Sequence, residues 1–250
     1  MHFFCQNWYS CCRIQVVLTG AINDCKMNKS QKSFFFVVLC NILIATLWTS
    51  NLYGSTIKKD NFSYLTNLER EVVAELNLAR SQPKVYAGFL LNYSGMFVGR
   101  ELREPGEITI LTSEGRNAVD EAIRFLRSQK SLSPLLPSKG MSKGAQDMVR
   151  MQESTSQVGH VGRDGSTFSS RISRYGSWGG SCAENIDYGY NNARRIVMAL
   201  IIDDGVRNRG HRKSIFDAGF KRVGVACGRH RSFNYMCVIE LAVSYSEAKE

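Results

Sequence analysis

Apolar residues recur at helical spacing in four segments of the middle of the chain, and this periodicity constrains the fold more than any other feature. The first segment opens with Thr66 and Glu69 in capping-box spacing, and Pro83 breaks or restarts it. The other segments are residues 117–128, 141–151 and 193–203. Their stripes are Leu68, Val72, Leu76 and Ala79; Val119, Ala122, Ile123 and Leu126; Ala145, Met148 and Met151; and Ile196, Val197, Leu200 and Ile201. We expect helices that face a core with these residues.

The end of the chain has a different pattern. Residues 222–245, "RVGVACGRHRSFNYMCVIELAVSY", read as two β-strands around a loop at Gly228 to Asn234. Around the glycine-rich segment "SRYGSWGGSCAENIDYGYNN", before the last helix, two short β segments are expected to flank the loops, and the polar residues 91–112 are expected to form a loop. Helices followed by a β-hairpin predict the α+β class, with helices packed on an antiparallel sheet.

Length and charge limit the classes of function. The chain has 250 residues and is 44% hydrophobic, which suits one globular domain with a sizeable core. It carries 32 basic against 22 acidic residues, a surplus that favours loose attraction to anionic surfaces such as envelope polymers or lipid headgroups. Basic residues are not interleaved with stacking aromatic residues on any one segment, so we expect no nucleic-acid partner.

The amino-terminal region resembles an export signal. A basic segment, "KMNKSQK", leads into the apolar run "SFFFVVLCNILIATLW", which is short for a membrane span and is interrupted by Asn41. Residues 27–55 are therefore expected to be a signal peptide or an uncleaved amino-terminal anchor, and the protein to be secreted or extracytoplasmic. We expect Met27 to be the true start and residues 1–26 an upstream misannotated extension, which leaves residues 60–250 as the folded domain.

Three cysteines fall in that expected domain. Cys227 and Cys237 lie on the two strands of the predicted hairpin, where adjacent antiparallel strands bring Cβ atoms within disulfide range. An exported protein meets an oxidising compartment, so we predict a Cys227–Cys237 disulfide; the alternative is two reduced, buried thiols. Cys182 is then unpaired, and it is either buried or reactive.

Two glycine-flanked histidines are the candidate functional residues. His160 lies in "GHVGRDGS" and His211 in "IIDDGVRNRGHR", while Glu184 and Asp203 each stand near one end of a predicted element. Two imidazoles and two carboxylates could bind a borderline cation such as Zn²⁺ or polarise a water molecule. Taken singly, each histidine also fits a solvated loop residue, and Glu184 fits a capping carboxylate. The spacing leaves both interpretations open.

Five short motifs in order resemble one known family. They are "ELNLARSQPKVYA", "GHVGRDGS", "CAENI", "IIDDGVRNRGHRKSIF" and "VGVACG". Together they are similar to the CAP superfamily, or SCP domain, which includes cysteine-rich secretory proteins, venom antigen five and plant pathogenesis-related proteins. The likeness spans about residues 67–245. The form that ends in G-H-R and lacks an added cysteine-rich module resembles the bacterial single-domain members most.

The resemblance implies a fold and a site. The implied fold is a three-layer α-β-α sandwich with a central antiparallel sheet and a cleft that holds His160, Glu184, Asp203 and His211. Within this tetrad His160 and His211 are the expected metal ligands, and weakly bound Zn²⁺ is the expected cofactor. Asp203 stands where the family usually has glutamate. Because its side chain is one methylene shorter, we expect Asp203 to act from behind the ligands.

The resemblance leaves two classes of function. The first is an exported binding module for a lipid, a sterol or another anionic envelope component, with transient membrane contact. The second is a metal-assisted peptidase or esterase, in which metal-bound water or Glu184 attacks an ester or amide. A nucleophile at Ser181 or Cys182 would lack a recognisable elbow and partner histidine. Fold alone does not settle function, and of the two classes we favour the binding module. Neither the ligand nor the oligomeric state follows from the sequence.

Overall fold

The computed structural model describes residues 62–106 and 108–249, which belong to one compact unit, Asn61–Glu250. The predictions for residues 1–26 and 27–55, and the expected domain start at residue 60, lie outside these residues. Within the described part of the chain, no helix has the length and apolar character needed to cross a membrane.

Seven helices and seven strands form the described fold. The helices are α1 (Asn67–Ser81), α2 (Pro83–Ser94), α3 (Arg116–Ser128), α4 (Lys139–Gln152), α5 (Phe168–Ser173), α6 (Ala193–Ile202) and α7 (Gly210–Ile215). The strands are β1 (Phe97–Val98), β2 (Glu101–Leu102), β3 (Ile110–Leu111), β4 (Leu136–Pro137), β5 (Gly176–Tyr188), β6 (Arg222–His230) and β7 (Asn234–Glu247).

The main sheet has the strand order β4-β6-β7-β5. Its three long strands are antiparallel, and the two-residue β4 adds a short parallel pairing to β6. The predicted α+β class with antiparallel strands is confirmed, and β4 is the single parallel addition among the described strands. Strand β5 lies at an edge of the sheet, which leaves one side of it open to the loops that carry the candidate site.

Helices cover both faces of this sheet, because successive strand side chains point to opposite sides. On one face, Ile239 and Leu241 of β7 join a core with residues of α1, α2, α3, α6 and α7. On the other face, Val238 of β7 packs with α4, and Ala242 packs with α4 and α5. Helix α4 lies so close to β6 that a Cβ at Gly224 would meet the backbone of Met141, so this contact requires glycine. The layers are helix, sheet and helix.

The predicted helices are present, with their stripes turned inward. The Thr66 and Glu69 side chains form a reciprocal capping box at the start of α1, and Pro83 opens α2 at its first turn rather than ending helical structure. Leu68 and Met151 are only half-buried, because each stands near one end of its helix. Residues 91–112 form more than the predicted loop: they include the end of α2 and the small antiparallel sheet β1-β2-β3.

The strands at the end of the chain are longer than predicted. The expected loop at Gly228 to Asn234 shrinks to residues 231–233, since β6 continues to His230 and β7 begins at Asn234. The glycine-rich segment forms one 13-residue strand, β5, instead of two short ones, with an irregularity between Gly179 and Cys182. Cys227 and Cys237 face each other in the β6-β7 ladder, and the predicted disulfide joins them.

Candidate functional site

His160 lies on the loop between α4 and α5, with a side chain that is 48% exposed. Its Nδ1 atom is 2.9 Å from Oε1 of Glu184 on β5. An ionised carboxylate only accepts hydrogen bonds, so Nδ1 donates to Glu184, and in the neutral form of the ring Nε2 keeps its lone pair. The Glu184 side chain is fully buried and holds the His160 ring through Nδ1. The Nε2 atom of this ring has no hydrogen-bond partner among the described residues.

Arg171 of α5 fixes Glu184 and the His160 loop together. Its Nη2 atom donates to Oε2 of Glu184, and its Nη1 atom donates to the backbone oxygens of His160 and Ser166. The Arg171 and Glu184 side chains are both fully buried. One guanidinium thus ties the histidine, its carboxylate partner and the turn of the glycine-rich motif into a single unit.

The same loop is held from its other side by Tyr188. The backbone N–H of Gly159 donates to the Tyr188 hydroxyl over 2.9 Å, and this hydroxyl donates to Oε1 of Gln152 over 2.8 Å. Gly159 has φ +103°, a backbone conformation that suits glycine and few other residues. His230 is buried against Tyr188, and its Nε2 atom lies 2.9 Å from the backbone oxygen of Gln157. None of these contacts was predicted from the sequence.

His211 is positioned by a helix end rather than by a long loop. It is the second residue of α7, and its side chain is 23% exposed. Its Nδ1 atom is 2.7 Å from Oδ1 of Asp203, while Oδ2 of Asp203 accepts the backbone N–H of His211 over 3.0 Å. Asp203 is buried and ends α6 in the left-handed conformation, with φ 59°. This carboxylate therefore caps α7 and orients the ring of the residue that it caps.

The segment between α6 and α7 is fixed to α3 by two arginines. Arg209 pairs with Glu114 and Glu121 and also donates to the backbone oxygens of Asp203 and Val206. Its hydrogen bonds help to lower the pKa of Glu114 to about 2. These contacts tie the segment before His211 to Glu114 and Glu121.

A second arginine completes this anchor. Arg212 is buried, pairs with Glu121 over 2.9 Å and donates to the backbone oxygens of Ile201 and Ile202 at the end of α6. The motif "DDGVRNRGHR" thus encodes a support for His211 as well as the histidine itself. A single sequence does not distinguish such arginines from solvated basic residues.

The two histidine–carboxylate pairs meet at one cleft. The ring centroids of His160 and His211 lie 6.4 Å apart, although 51 positions separate them in the numbering. The pairs reach the edge strand β5 from opposite faces of the sheet, since Glu184 faces Arg171 of α5 whereas Asn185, the next residue, donates to the backbone of α7 at His211. The structure thus brings together all four residues that the sequence singled out, and their chemical role stays a prediction.

One further acidic residue belongs to this region and was not predicted. Glu240 of β7 stands directly opposite Glu184 in the β5-β7 ladder and is completely buried. Burial and the neighbouring Glu184 charge raise the pKa of Glu240 well above its ordinary value. In the sequence, Glu240 interrupts an apolar run of the last strand, and a lone charged residue normally indicates a solvent-facing position.

The proposed nucleophile positions have unfavourable surroundings. Cys182 is a free thiol that is half-buried beside Ala242 and Tyr245, and burial raises its pKa to about 11. A thiol with so high a pKa is a weak nucleophile near neutral pH, because the thiolate is the reactive form. Cys182 is therefore a structural residue in this fold.

The donor set fits a weakly held cation. Each ring has an unbonded Nε2 as its remaining donor, and a zinc ion accepts such nitrogens at about 2.0–2.1 Å. The ring centroids lie 6.4 Å apart, which is near the upper limit for one ion to reach both Nε2 atoms, so binding needs a small movement of the rings toward each other. The two carboxylates already bond to the rings and to the groups behind them, and residues 62–106 and 108–249 contain no cluster of three or more His, Cys, Asp or Glu arranged for a metal. Two protein ligands fit weak binding only.

Fold and site together define a helix–sheet–helix protein with paired histidines and carboxylates in a cleft at the sheet edge. The comparison with family models agrees with this class: residues 121–241 match the model of the cysteine-rich secretory protein family, CAP. This part of the chain, just under half of its length, is similar to that family. The matched range contains His160, Glu184, Asp203 and His211, and also Arg171 and Glu240.

Solved structures give weaker similarities. An outer surface protein from Borrelia burgdorferi is 16% identical, with a TM-score of 0.38, over 44% of this chain and 78% of its own. An extracellular SCP-domain protein from Bacillus anthracis is 13% identical, with a TM-score of 0.36, over 51% of this chain and 37% of its own. A cysteine-rich secretory protein from Staphylococcus aureus is 14% identical, with a TM-score of 0.30, over 50% of this chain and 37% of its own. No curated protein matches the sequence.

Proposed function

We propose that this protein is an exported CAP-domain binding module whose cleft holds a divalent cation weakly between His160 and His211. The observation that carries the proposal is the pairing of each Nδ1 atom with a buried carboxylate, His160 with Glu184 and His211 with Asp203. Metal-binding histidines usually donate their second ring nitrogen to such a partner, which fixes the tautomer and the orientation of the ring. In its neutral form, each ring would present Nε2 to a metal.

The cation would be Zn²⁺ or another ion that accepts imidazole nitrogen. When bound, it would supply a positive charge at the cleft mouth, where His160 is the more exposed of the two rings. With two protein ligands, the remaining positions would be filled by water or by a ligand. A ligand with a phosphate or carboxylate headgroup is the natural partner for such a charge.

The proposed ligand is a lipid or another anionic envelope component. Two features of the sequence support it: the net charge of +10 and the apolar segment in residues 27–55, which predicts export. A basic surface increases the rate of encounter with anionic surfaces without specifying one partner. The cleft would supply the specific contact.

A hydrolase that uses the same cleft is less compatible with the geometry. The Glu184 side chain is fully buried behind His160 and Arg171, so its carboxylate does not face a water molecule in the cleft. A general base must reach the proton that it removes within hydrogen-bond distance. The arrangement suits Glu184 as an anchor for His160.

Three measurements on purified protein test this function. Calorimetric titration with Zn²⁺ is expected to show one weak site, which disappears in His160→Ala and persists in the neighbouring Val161→Ala.

Extraction of protein purified from its native compartment, followed by mass spectrometry, should recover a lipid or another anionic component. Turnover on a panel of fluorogenic esters and peptides that Glu184→Gln abolishes would overturn the binding module and favour the hydrolase.

A further inference from the structure

Glu240 is a buried acidic residue whose carboxyl group lacks the hydrogen bonds that a buried carboxylate normally accepts. It is 0% exposed in the middle of β7, and neither of its carboxyl oxygens has a hydrogen-bond donor among the described residues. Directly across the ladder is Glu184, which is also buried. A buried carboxylate without a donor is expensive, so an ionised Glu240 would strongly destabilise the fold.

The charges around Glu240 do not balance if both acids are ionised. Arg171 is the cation that contacts this pair, and its Nη2 atom is directed to Glu184. Two adjacent carboxyl groups that share one cation cannot both lose their protons at low cost, and one of them keeps its proton. Glu184 has the guanidinium and the His160 N–H, so Glu240 is the group that stays neutral.

The groups around Glu240 on the neighbouring elements agree with a neutral Glu240 carboxyl group. On β5 these are Glu184 and the half-buried thiol of Cys182. On α5 the group is Arg171. On β6 the paired residue is Gly224, which has no side chain and is packed against the backbone of α4.

We propose that Glu240 is a positioning residue of the cleft: it keeps its proton, donates that O–H to Glu184, and so fixes the carboxylate that orients His160. A protonated carboxyl group is a donor, whereas an ionised one is not, so this state satisfies a Glu240 oxygen that otherwise lacks any partner. Glu184 then receives three donors, from His160, Arg171 and Glu240. These contacts connect Glu240 inside the sheet, through Glu184, to the partly exposed ring of His160.

Infrared spectroscopy of the whole protein tests the protonation state. A carbonyl band of a protonated carboxyl group is expected above neutral pH, and Glu240→Gln should remove it. Asp187 is the matched control, because burial raises its pKa to about 7 and it also carries a proton in acid. Asp187→Asn should remove only a component that titrates near that pH. A band at alkaline pH that survives in Glu240→Gln, or no band at all, would overturn the proposal.

A second readout tests the effect on His160. The amide of Glu240→Gln can still donate to Glu184, whereas Glu240→Leu cannot, so the Nδ1-protonated tautomer of His160 should be retained in the first variant and lost in the second. Nitrogen NMR of the imidazole ring reports the tautomer directly. Identical His160 spectra in parent, Gln and Leu variants would refute positioning. If the Leu variant does not fold, a changed tautomer in Glu240→Gln would refute it instead.

The two readouts need no metal and no ligand. A failed zinc titration would therefore remove the proposed function and leave the role of Glu240 standing. If zinc does bind, Glu240→Leu should weaken the affinity about tenfold, the scale of losing a group that orients a metal ligand, while Glu240→Gln keeps the parent affinity.

Discussion

The two histidines of the cleft are held by different kinds of structure. His211 lies at the start of a helix and is oriented by Asp203, which caps that helix through two backbone N–H groups. His160 lies on a loop, and its partner Glu184 belongs to a buried group that includes Arg171 and Glu240. The His211 pair is thus supported by a helix cap and by arginines whose glutamate partners are partly exposed, and the His160 pair by an ion pair between two fully buried side chains.

This difference predicts where each half of the cleft is vulnerable. Breaking a buried ion pair leaves an unpaired charge inside the protein, whereas removing a partly exposed contact permits water to replace it. Changes behind His160 should therefore reduce the stability of the fold, and changes behind His211 should act more on the geometry of the site.

The largest effect is expected for Arg171→Met. It leaves Glu184 buried without its guanidinium, which should lower the free energy of unfolding by about 3–5 kcal/mol. Chemical denaturation measures this loss. The control is Arg174→Met, since Arg174 follows α5 and pairs with Asp147 and Asp164 near the surface. Equal stability of the two variants would contradict the buried-charge account of the His160 half.

A pH-dependent effect is expected from Asp187, a second buried acid on β5. Burial raises its pKa from 3.8 to about 7. The protonated form is therefore favoured in the fold, and the stability that Asp187 contributes in acid is lost as the pH rises through about 7. Asp187→Asn should match the parent in acid and exceed it above pH 7 by as much as about 4 kcal/mol. Unfolding midpoints measured across this range would show parallel curves if the account is wrong.

A smaller loss is expected for Arg209→Met, behind His211. Arg209 is held by Glu114, Glu121 and two backbone oxygens, so its removal should cost about 1–2 kcal/mol in unfolding experiments. The loss should stay below that of Arg171→Met. A larger loss would reverse the comparison between the two halves of the cleft.

Asp203→Asn should have the mildest effect on the fold. The amide oxygen can still accept from the α7 backbone, but the negative charge that stabilises the His211 ring is absent. Zinc affinity is expected to fall about tenfold, with little change in the unfolding midpoint. Unaltered affinity would show that Asp203 only caps the helix.

The sequence predicted most of the framework, because apolar stripes directly report buried helix faces. Val72, Leu76 and Ala79 are all fully buried in α1, as their spacing indicated. The disulfide followed from two cysteines on paired strands. The small sheet β1-β2-β3 was missed, since strands of two residues show no alternation.

The supporting charges of the site could not be predicted in the same way. Arg171 and Glu240 are buried only because each meets a group that is distant in sequence, and a lone arginine or glutamate normally indicates solvent exposure. The tetrad was selected through its likeness to a family. Which ring nitrogen of each histidine faces its carboxylate depends on how the loops pack against the edge strand, and no sequence pattern predicts this packing.

The central claim is that two separately supported histidines form one cation site. Calorimetric titration of Zn²⁺ into the parent, His160→Ala, His211→Ala and the double variant tests it most directly. The account predicts one weak site in the parent and none in any of the three variants. Zinc binding by the double variant with the parent's affinity would contradict it, and the glycine-flanked histidines would then be parts of two turns.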